Sequence, residues 1–100
     1  MPNQKDPRMT FTTAKVLQVF LQEPTQSVAG SDIAAQTHLP SGTLYPILLR
    51  LEAVGWLESE WENVNPAKEG RPRKRLYRIT RTGLDRASTE FTALAEALRI

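Results

Sequence analysis

The sequence predicts one mainly helical α+β domain, and three observations carry this prediction. Apolar residues recur at spacings of three and four in three long segments. Alternating apolar and polar residues fill two short stretches between the last two of those segments, and a basic loop with glycine and proline joins the two stretches. A chain of 100 residues supports one hydrophobic core rather than two. We therefore expect three helices, a two-stranded hairpin and a last helix.

The first helix is predicted over residues 11–22. Its apolar residues are Val16, Leu17, Phe20 and Leu21. Thr12 or Thr13 is the expected N-cap. Pro24 ends the helix, because proline lacks the N–H that the next helical hydrogen bond requires and disfavours helical geometry in the residue before it.

A short second helix and a longer third helix follow. Ser31 is the expected cap of the second helix, Gly30 allows the approach turn, and Pro40 closes the element. Only about four residues, 39–42, separate this helix from the third. A connection of that length is typical of a helix-turn-helix.

The third helix is predicted to begin near residues 41–43 and to stop at Gly55. Its apolar face consists of Leu44, Ile47, Leu48, Leu51 and Val54. Pro46 would remove a hydrogen bond from a helix interior, so it is tolerated only in the first turn or at a kink. Pro46 therefore places the predicted start near Thr43.

Beyond Gly55 the apolar period changes from helical to alternating, which predicts a half-buried strand. Its inner side is Leu57, Ser59 and Trp61, and its outer side is Glu58, Glu60 and Glu62. A loop over residues 63–72 precedes a second strand over residues 74–79, in which Tyr77 and Ile79 lie opposite Leu76 and Arg78. A hairpin that follows a helix-turn-helix forms a wing. The predicted fold is thus a winged helix-turn-helix with three helices, a two-stranded wing and a C-terminal helix.

The last helix is expected from about Arg81, with Thr80 as its cap. Its apolar residues form a heptad seam of Leu84, Ala87, Phe91, Leu94 and Leu98. We expect this seam to mediate dimerisation, by packing on a copy of itself or on the first helix of a partner chain. Packing within its own domain is the alternative.

Composition excludes several classes of protein. The chain has no cysteine, which excludes a disulfide framework, a thiolate zinc site and a cysteine nucleophile. Its apolar runs are too short to cross a bilayer, and its polar N-terminus lacks the apolar stretch of a secretory signal. We expect a cytoplasmic protein whose residues 1–10 form a flexible arm.

The net charge is only +2, but basic residues are concentrated, since seven of the 13 Lys and Arg residues lie between positions 68 and 81. An acidic flank, made of Glu52, Glu58, Glu60 and Glu62, precedes them. The cations of the wing tip suit the phosphates of duplex DNA, beside or within the minor groove. They are Arg71, Arg73, Lys74 and Arg75. A solvated loop or a nuclear-localisation patch would also give a basic run, but the flanking strands and the helix-turn-helix favour DNA.

The N-terminal end of the third helix is the predicted reader of DNA in the major groove. The candidate contact residues are Ser41, Gly42, Thr43, Tyr45 and Arg50. Hydroxyl groups bond phosphates or base edges, Gly42 lets the backbone come close, and the positive end of a helix favours a phosphate. A plain capped turn is the structural alternative.

No residue pattern indicates catalysis, a metal or a cofactor. His38 is the only histidine and has no cysteine or second histidine with which to bind zinc. Trp56 and Trp61 suit core and rim packing better than a ligand-stacking pair. The three glutamates of the first strand lack a nucleophile or a phosphate loop beside them, so we predict no enzyme.

These motifs together resemble the DNA-binding domain of PadR-like transcriptional regulators. The resemblance covers residues 11–91 and rests on four motifs in order: Ser41-Gly42-Thr43-Leu44-Tyr45-Pro46, then Leu51-Glu52 with Gly55, then Glu58-Ser59-Glu60-Trp61, and finally Gly70-Arg71-Pro72-Arg73-Lys74 leading into Tyr77-Arg78-Ile79-Thr80 and Gly83. It implies a dimeric winged-helix repressor of an inverted-repeat operator. In such a protein the recognition helix, about 43–54, and the wing, about 63–75, would touch DNA.

The chain departs from the family pattern in two places. Its second helix opens Gly30-Ser31-Asp32-Ile33, where the family often has an aromatic residue after the glycine. Its last helix has Phe91 but no tryptophan, the residue with which some short members bind flat aromatic compounds between the dimer halves, so no effector is indicated.

The predicted organisation is an arm over residues 1–10, a DNA-binding domain over 11–80 and a dimerisation helix over 81–100. A winged helix that binds another protein without reading DNA is the competing interpretation. The acidic flank and the single cation of the recognition helix, Arg50, motivate it.

Overall fold

A computed structural model describes residues 7–99, so the first six residues of the predicted arm and Ile100 lie outside the described residues. The described part contains five helices: α1 (Phe11–Gln22), α2 (Gly30–Thr37), α3 (Ser41–Ala53), α4 (Pro66–Glu69) and α5 (Arg81–Ala97). It contains three strands: β1 (Val28–Ala29), β2 (Leu57–Trp61) and β3 (Arg75–Ile79). The predicted winged-helix fold is confirmed.

The sheet has three antiparallel strands in the order β1-β3-β2, where the sequence predicted two. β2 and β3 form the expected hairpin, with Ser59 opposite Tyr77. β1 adds Val28 opposite Tyr77 on the other side of β3. A strand of two residues is too short for any alternation to show, so periodicity could not predict it.

The core lies between α1, α3 and the inner face of the sheet. Its completely buried side chains include Phe20 of α1, Ile33 of α2 and Leu48 of α3. The sheet contributes Tyr77 and Ile79, as predicted from the alternation. α3 buries Leu44, Ile47, Leu48 and Leu51 and leaves Val54 half-buried. Burying this one face of α3 fixes which of its other side chains face outward.

The starts of the first two helices differ from the prediction. α1 is capped by Thr10, whose Oγ1 accepts the Thr13 N–H at 3.1 Å, so neither Thr12 nor Thr13 is the cap. α2 begins at Gly30 with no side-chain cap, and Ser31 is an exposed residue of its first turn. The physical reason is β1, which carries the chain from its pairing with β3 straight into α2 without a capping turn.

α3 begins at Ser41, two residues before the predicted start. Pro46 therefore lies in the second turn of the helix rather than in the first. The amide N–H groups of Thr43 and Leu44 both bond to the carbonyl of Pro40, which closes the first turn. The helix keeps its course because an exposed face of a helix leaves room for the proline ring, and its buried face holds the backbone in place.

The predicted loop between the strands contains the helical turn α4. Asn65 caps this turn by accepting the Ala67 N–H at 3.0 Å, Pro66 is its first residue, and Gly70 ends it at a φ of 68°. Asn before Pro, with Gly four residues later, is a readable signal for a short helix. β3 then begins at Arg75, one residue later than predicted.

A clasp between the end of α3 and the start of α5 holds the sheet to the last helix. Thr80 caps α5 as predicted, because its Oγ1 accepts the Gly83 N–H at 2.9 Å. The same hydroxyl donates to the carbonyl of Gly55 at 2.6 Å. Gly55, at a φ of 81°, ends the α3 region as predicted. Gly83 packs directly on the backbone of Trp56.

Candidate nucleic-acid interface

The predicted reading residues lie at the N-terminal end of α3 and are accessible. Ser41 and Gly42 are exposed, Thr43 is half-buried, and a Cβ added to Gly42 would meet nothing within 4 Å. No side chain caps α3, whose N-cap is Pro40. The first amide groups of the helix are thus available to an outside acceptor, as a phosphate site requires.

Tyr45 is held against the start of α2. A Cβ added to Gly30 would lie 2.8 Å from the Tyr45 hydroxyl oxygen and 3.2 Å from its ring, so only glycine lets this ring lie there. The ring remains 44% exposed. The sequence analysis assigned Gly30 to a turn. The structure gives it a second purpose, which is to position Tyr45.

The wing tip is organised around the Glu62 carboxylate. Arg71 donates to it twice, at 2.7 Å from Nη1 and 3.1 Å from Nη2, and the Lys74 N–H donates at 3.2 Å. These hydrogen bonds, with the positive charge of Arg71, lower the pKa of Glu62. Glu62 also donates its own N–H to the carbonyl of Lys74 at 2.8 Å. Sequence reasoning placed Glu62 only in the acidic flank and missed this organising contact.

Two further candidate cations also have intramolecular partners. Arg73 is exposed and donates from Nε to the carbonyl of Val64 at 2.9 Å. Arg75 lies 5.0 Å from the ring centroid of Trp61, which is 61% exposed and therefore a rim residue. The wing tip is thus ordered before any partner arrives. Whether these cations touch DNA stays a prediction.

A polar bridge joins the wing to the recognition helix. Ser59 of β2 donates to the Glu52 carboxylate of α3 at 2.6 Å, and Arg75 of β3 donates to the Ser59 hydroxyl at 3.1 Å. Neither Glu52 nor Ser59 was a candidate site residue, because the two are close only after β2 folds back along α3. The bridge fixes the wing relative to α3.

The acidic flank is largely paired within the hairpin. Glu58 accepts from Arg78, directly opposite on β3, with Nε at 3.0 Å. Glu52 and Glu62 have the partners described above. The wing therefore does not present a separate negative surface of the strength that the sequence pattern suggests.

The heptad seam of α5 is divided between the core and the surface. Ala87 is buried within its own domain, and Leu84 and Phe91 are half-buried against the same core. Leu94 and Leu98 are 44% and 71% exposed. The first half of the seam thus packs within the domain, which was the alternative weighed above.

The exposed half of the seam borders an apolar cleft between α5 and the start of α1. Met9, Phe11 and Ala14 line one wall, and Ala93 and Leu94 line the other. Phe11 is 80% exposed, although it is the first residue of a helix that packs on the core. The sequence analysis did not single out Met9 or Phe11.

Searches for two other kinds of site gave negative results within the described part of the chain. No group of three or more metal-ligating side chains comes together among residues 7–99. No helix in that range has the length and apolar character needed to span a membrane.

Comparison with protein families gives a match over most of the winged helix. The model of the PadR-like family of transcriptional regulators matches residues 29–89, from β1 into α5. No curated protein has a significant sequence match to the chain.

Solved structures of winged-helix regulators share the fold. Disulfide-formed AbfR, a protein of Staphylococcus epidermidis, is 26% identical with a TM-score of 0.72, over 90% of this chain and 60% of that chain. Reduced AbfR bound to DNA is 24% identical with the same TM-score and coverage. AF1382 of Archaeoglobus fulgidus is 17% identical with a TM-score of 0.72, over 92% of this chain and 93% of its own. The chain thus spans about three-fifths of the length of AbfR.

Proposed function

The chain belongs to the PadR-like family of transcriptional regulators, and from that premise we propose that it binds an inverted-repeat operator in duplex DNA as a homodimer and represses transcription. The observation that carries this proposal is the uncapped, accessible start of α3 beside an ordered basic wing. A recognition helix in the major groove with a wing on the adjacent backbone needs both parts. The DNA-bound structure of AbfR supports the same assignment by fold.

In this proposal the predicted residues share the work. Ser41, Gly42 and Thr43 bring the start of α3 to a phosphate or a base edge, and Tyr45 and Arg50 flank the contact. Arg73 and Lys74 of the wing neutralise neighbouring phosphates. Arg71 and Arg75 act mainly by ordering the wing, because each is engaged within it.

The dimer proposal rests on the apolar cleft and on the exposed half of the α5 seam. Phe11, Leu94 and Leu98 expose apolar surface that a monomer would leave in water. A second copy would cover this surface if its α5 lay against α1 and α5 of the first. A twofold dimer would then place the two α3 helices about 34 Å apart, which is one turn of DNA.

A fluorescence-anisotropy titration tests the proposed function. The duplexes are the DNA upstream of the protein's own gene and a scrambled duplex, each at two salt concentrations. We expect tighter binding to the upstream duplex, with an affinity that falls steeply as salt rises because bound counterions are released. Undetectable binding, or equal, salt-insensitive binding to both duplexes, would contradict it.

A protein-binding winged helix is the second candidate. The observation that favours it is the pairing of wing cations with Glu58 and Glu62, which reduces the charge available to phosphates. The double change Arg71→Ala with Arg73→Ala separates the two candidates. DNA binding weakens in this variant, whereas a protein interface on another surface is unaffected.

A further inference from the structure

The outward face of α3 is almost devoid of hydrogen-bonding side chains. The four residues farthest from its buried face are Gly42, Pro46, Leu49 and Ala53, all of them exposed. They recur at steps of four, three and four, so they form one line along the helix. Leu49 is at the middle of this line and is 70% exposed. None of the four can donate or accept a hydrogen bond through its side chain.

This face nevertheless suits a polyanion by its charge. No Asp or Glu occurs between Ser41 and Leu51, and Arg50 adds a cation beside Leu49. The acid that follows, Glu52, is bound to Ser59 of the wing. An exposed leucine on the outward face of a helix, between a hydroxyl-bearing N-terminus and an arginine, is placed for an apolar group within a charged partner.

The major groove of DNA offers one such group. Guanine, adenine and cytosine present hydrogen-bond donors and acceptors there, and only thymine adds an apolar methyl at C5. An apolar helix face that enters this groove gains by burying thymine methyls and gains nothing from hydrogen-bonded readout at the same positions.

We infer that Leu49, with Pro46 beside it, reads thymine 5-methyl groups in each operator half-site, and that this apolar contact, rather than a bidentate hydrogen bond, determines specificity at the centre of α3. The inference rests on the proposed function, because it requires α3 to enter the major groove. It names the operator chemistry that the face selects: thymine-containing steps at the centre of the half-site, flanked by bases or phosphates within reach of Tyr45 and Arg50.

The test is a cycle between one side chain and one methyl group. Duplexes bound by the full-length protein are first selected from a random pool, and the enriched duplex is made in two forms, with thymine or with uracil throughout. Uracil keeps base pairing and lacks only the methyl. The wild-type protein, Leu49→Ala and Arg50→Ala are titrated against both forms at one salt concentration.

We expect the wild-type protein to bind the uracil duplex about fourfold more weakly for each methyl that Leu49 covers. Leu49→Ala should bind the thymine duplex more weakly and bind both forms equally. Arg50→Ala, the matched control on the neighbouring exposed position, should lose affinity but keep the wild-type ratio between the two forms. Because Leu49 is exposed, its removal leaves the core intact, and unchanged thermal melting checks this.

The contrary outcomes are distinct. If Leu49→Ala shows the same thymine-to-uracil ratio as the wild type, or binds both duplexes as the wild type does, the inference is overturned while DNA binding stands. If no duplex is enriched from the pool, the proposed function fails and the inference fails with it. A protein partner whose binding is lost in Leu49→Ala would then identify this face as a protein-binding surface.

Discussion

Arg71 and Glu62 form a two-pronged ion pair across the base of the wing tip, with Nη1 2.7 Å from Oε1 and Nη2 3.1 Å from Oε2. The Arg71 side chain is about one-third exposed and that of Glu62 is one-fifth exposed. A paired arginine contributes less to the binding of a polyanion than a solvent-facing one, because its charge is already balanced. The pair therefore divides the wing cations into residues that order the tip and residues that face outward.

The first prediction separates these two kinds of cation by their salt dependence. Arg73→Ala should lower the slope of log affinity against log salt by about 0.9, as expected for one phosphate contact. Arg71→Ala should weaken binding through loss of tip order and change the slope less. Anisotropy titrations at several salt concentrations measure both. Arg99→Ala, near the far end of α5, is the control and should leave the slope unchanged. Equal losses of slope for Arg71 and Arg73 would show that Arg71 leaves Glu62 for a phosphate.

The second prediction concerns the pH dependence of the tip. The hydrogen bonds from Arg71 lower the pKa of Glu62 in the folded protein. A lowered pKa in the folded state means that the pair stabilises the tip above the pKa of an unpaired glutamate, and that this stabilisation is lost as pH falls through the lowered value. The Lys74 amide, which donates to Glu62, should therefore titrate in NMR spectra with a midpoint below about 4.3.

Glu62→Gln is the control for this titration, because it removes the ionisable group and keeps the side-chain length. The Lys74 amide of Glu62→Gln should show no titration in that range. A wild-type midpoint at or above the ordinary glutamate value would contradict the pairing in solution.

The third prediction concerns the close contact of Gly83 with Trp56. A Cβ at position 83 would lie 2.1 Å from the Trp56 carbonyl oxygen, which cannot move away because it also accepts the Thr80 N–H at 2.9 Å. Gly83→Ala should therefore lower the free energy of unfolding by about 1–3 kcal/mol or more. Chemical denaturation measures the change.

Gly42→Ala is the matched control for the third prediction, since a Cβ there meets nothing within 4 Å. It should raise the free energy of unfolding by about 0.4–1 kcal/mol, because alanine restricts the unfolded chain more than glycine does. Equal stability of the two variants would show that α5 is not held against Trp56 in solution.

The fourth prediction tests the proposed dimer. Leu94→Ser, at the border of the apolar cleft, should convert the protein from a dimer to a monomer of 11.3 kDa and reduce its affinity for DNA. Leu94 is 44% exposed, so the domain itself should stay folded. Light scattering after size exclusion gives the mass, and circular dichroism gives the fold.

Leu49→Ser removes a similar exposed leucine from a different face and should leave the mass unchanged. A wild-type protein that is monomeric at high concentration, or a Leu94→Ser variant that keeps the dimer mass, would contradict the assignment of this face.

Much of the fold follows from local pattern. The extent of α1, the hairpin, the cap at Thr80 and the stop at Gly55 were predicted from spacing, turn residues and side-chain chemistry, which act within a few neighbouring residues. β1 and the cap of α2 were not. Val28 and Ala29 form a strand only because β3, almost fifty residues later, provides a partner.

The candidate site was predicted as a set of residue types rather than as an arrangement. The sequence placed hydroxyls at the start of α3 and cations in the wing, and both positions agree with the structure. It could not show that Gly30 makes room for Tyr45, or that Glu62 holds Arg71. Each of these pairs joins residues far apart along the chain or across a turn whose shape depends on the hairpin.

By itself the sequence determined the order and kind of the main elements, the apolar faces of α1 and α3, and the family, because periodicity and motif spacing are properties of the chain alone. The tertiary structure decided which cations are paired, which half of the α5 seam stays exposed and which face of α3 points outward at Leu49. These depend on which surfaces meet when β3 brings β1 and β2 together and α5 packs on the core. Burial and ion pairing are set by three-dimensional neighbours rather than by neighbours in sequence.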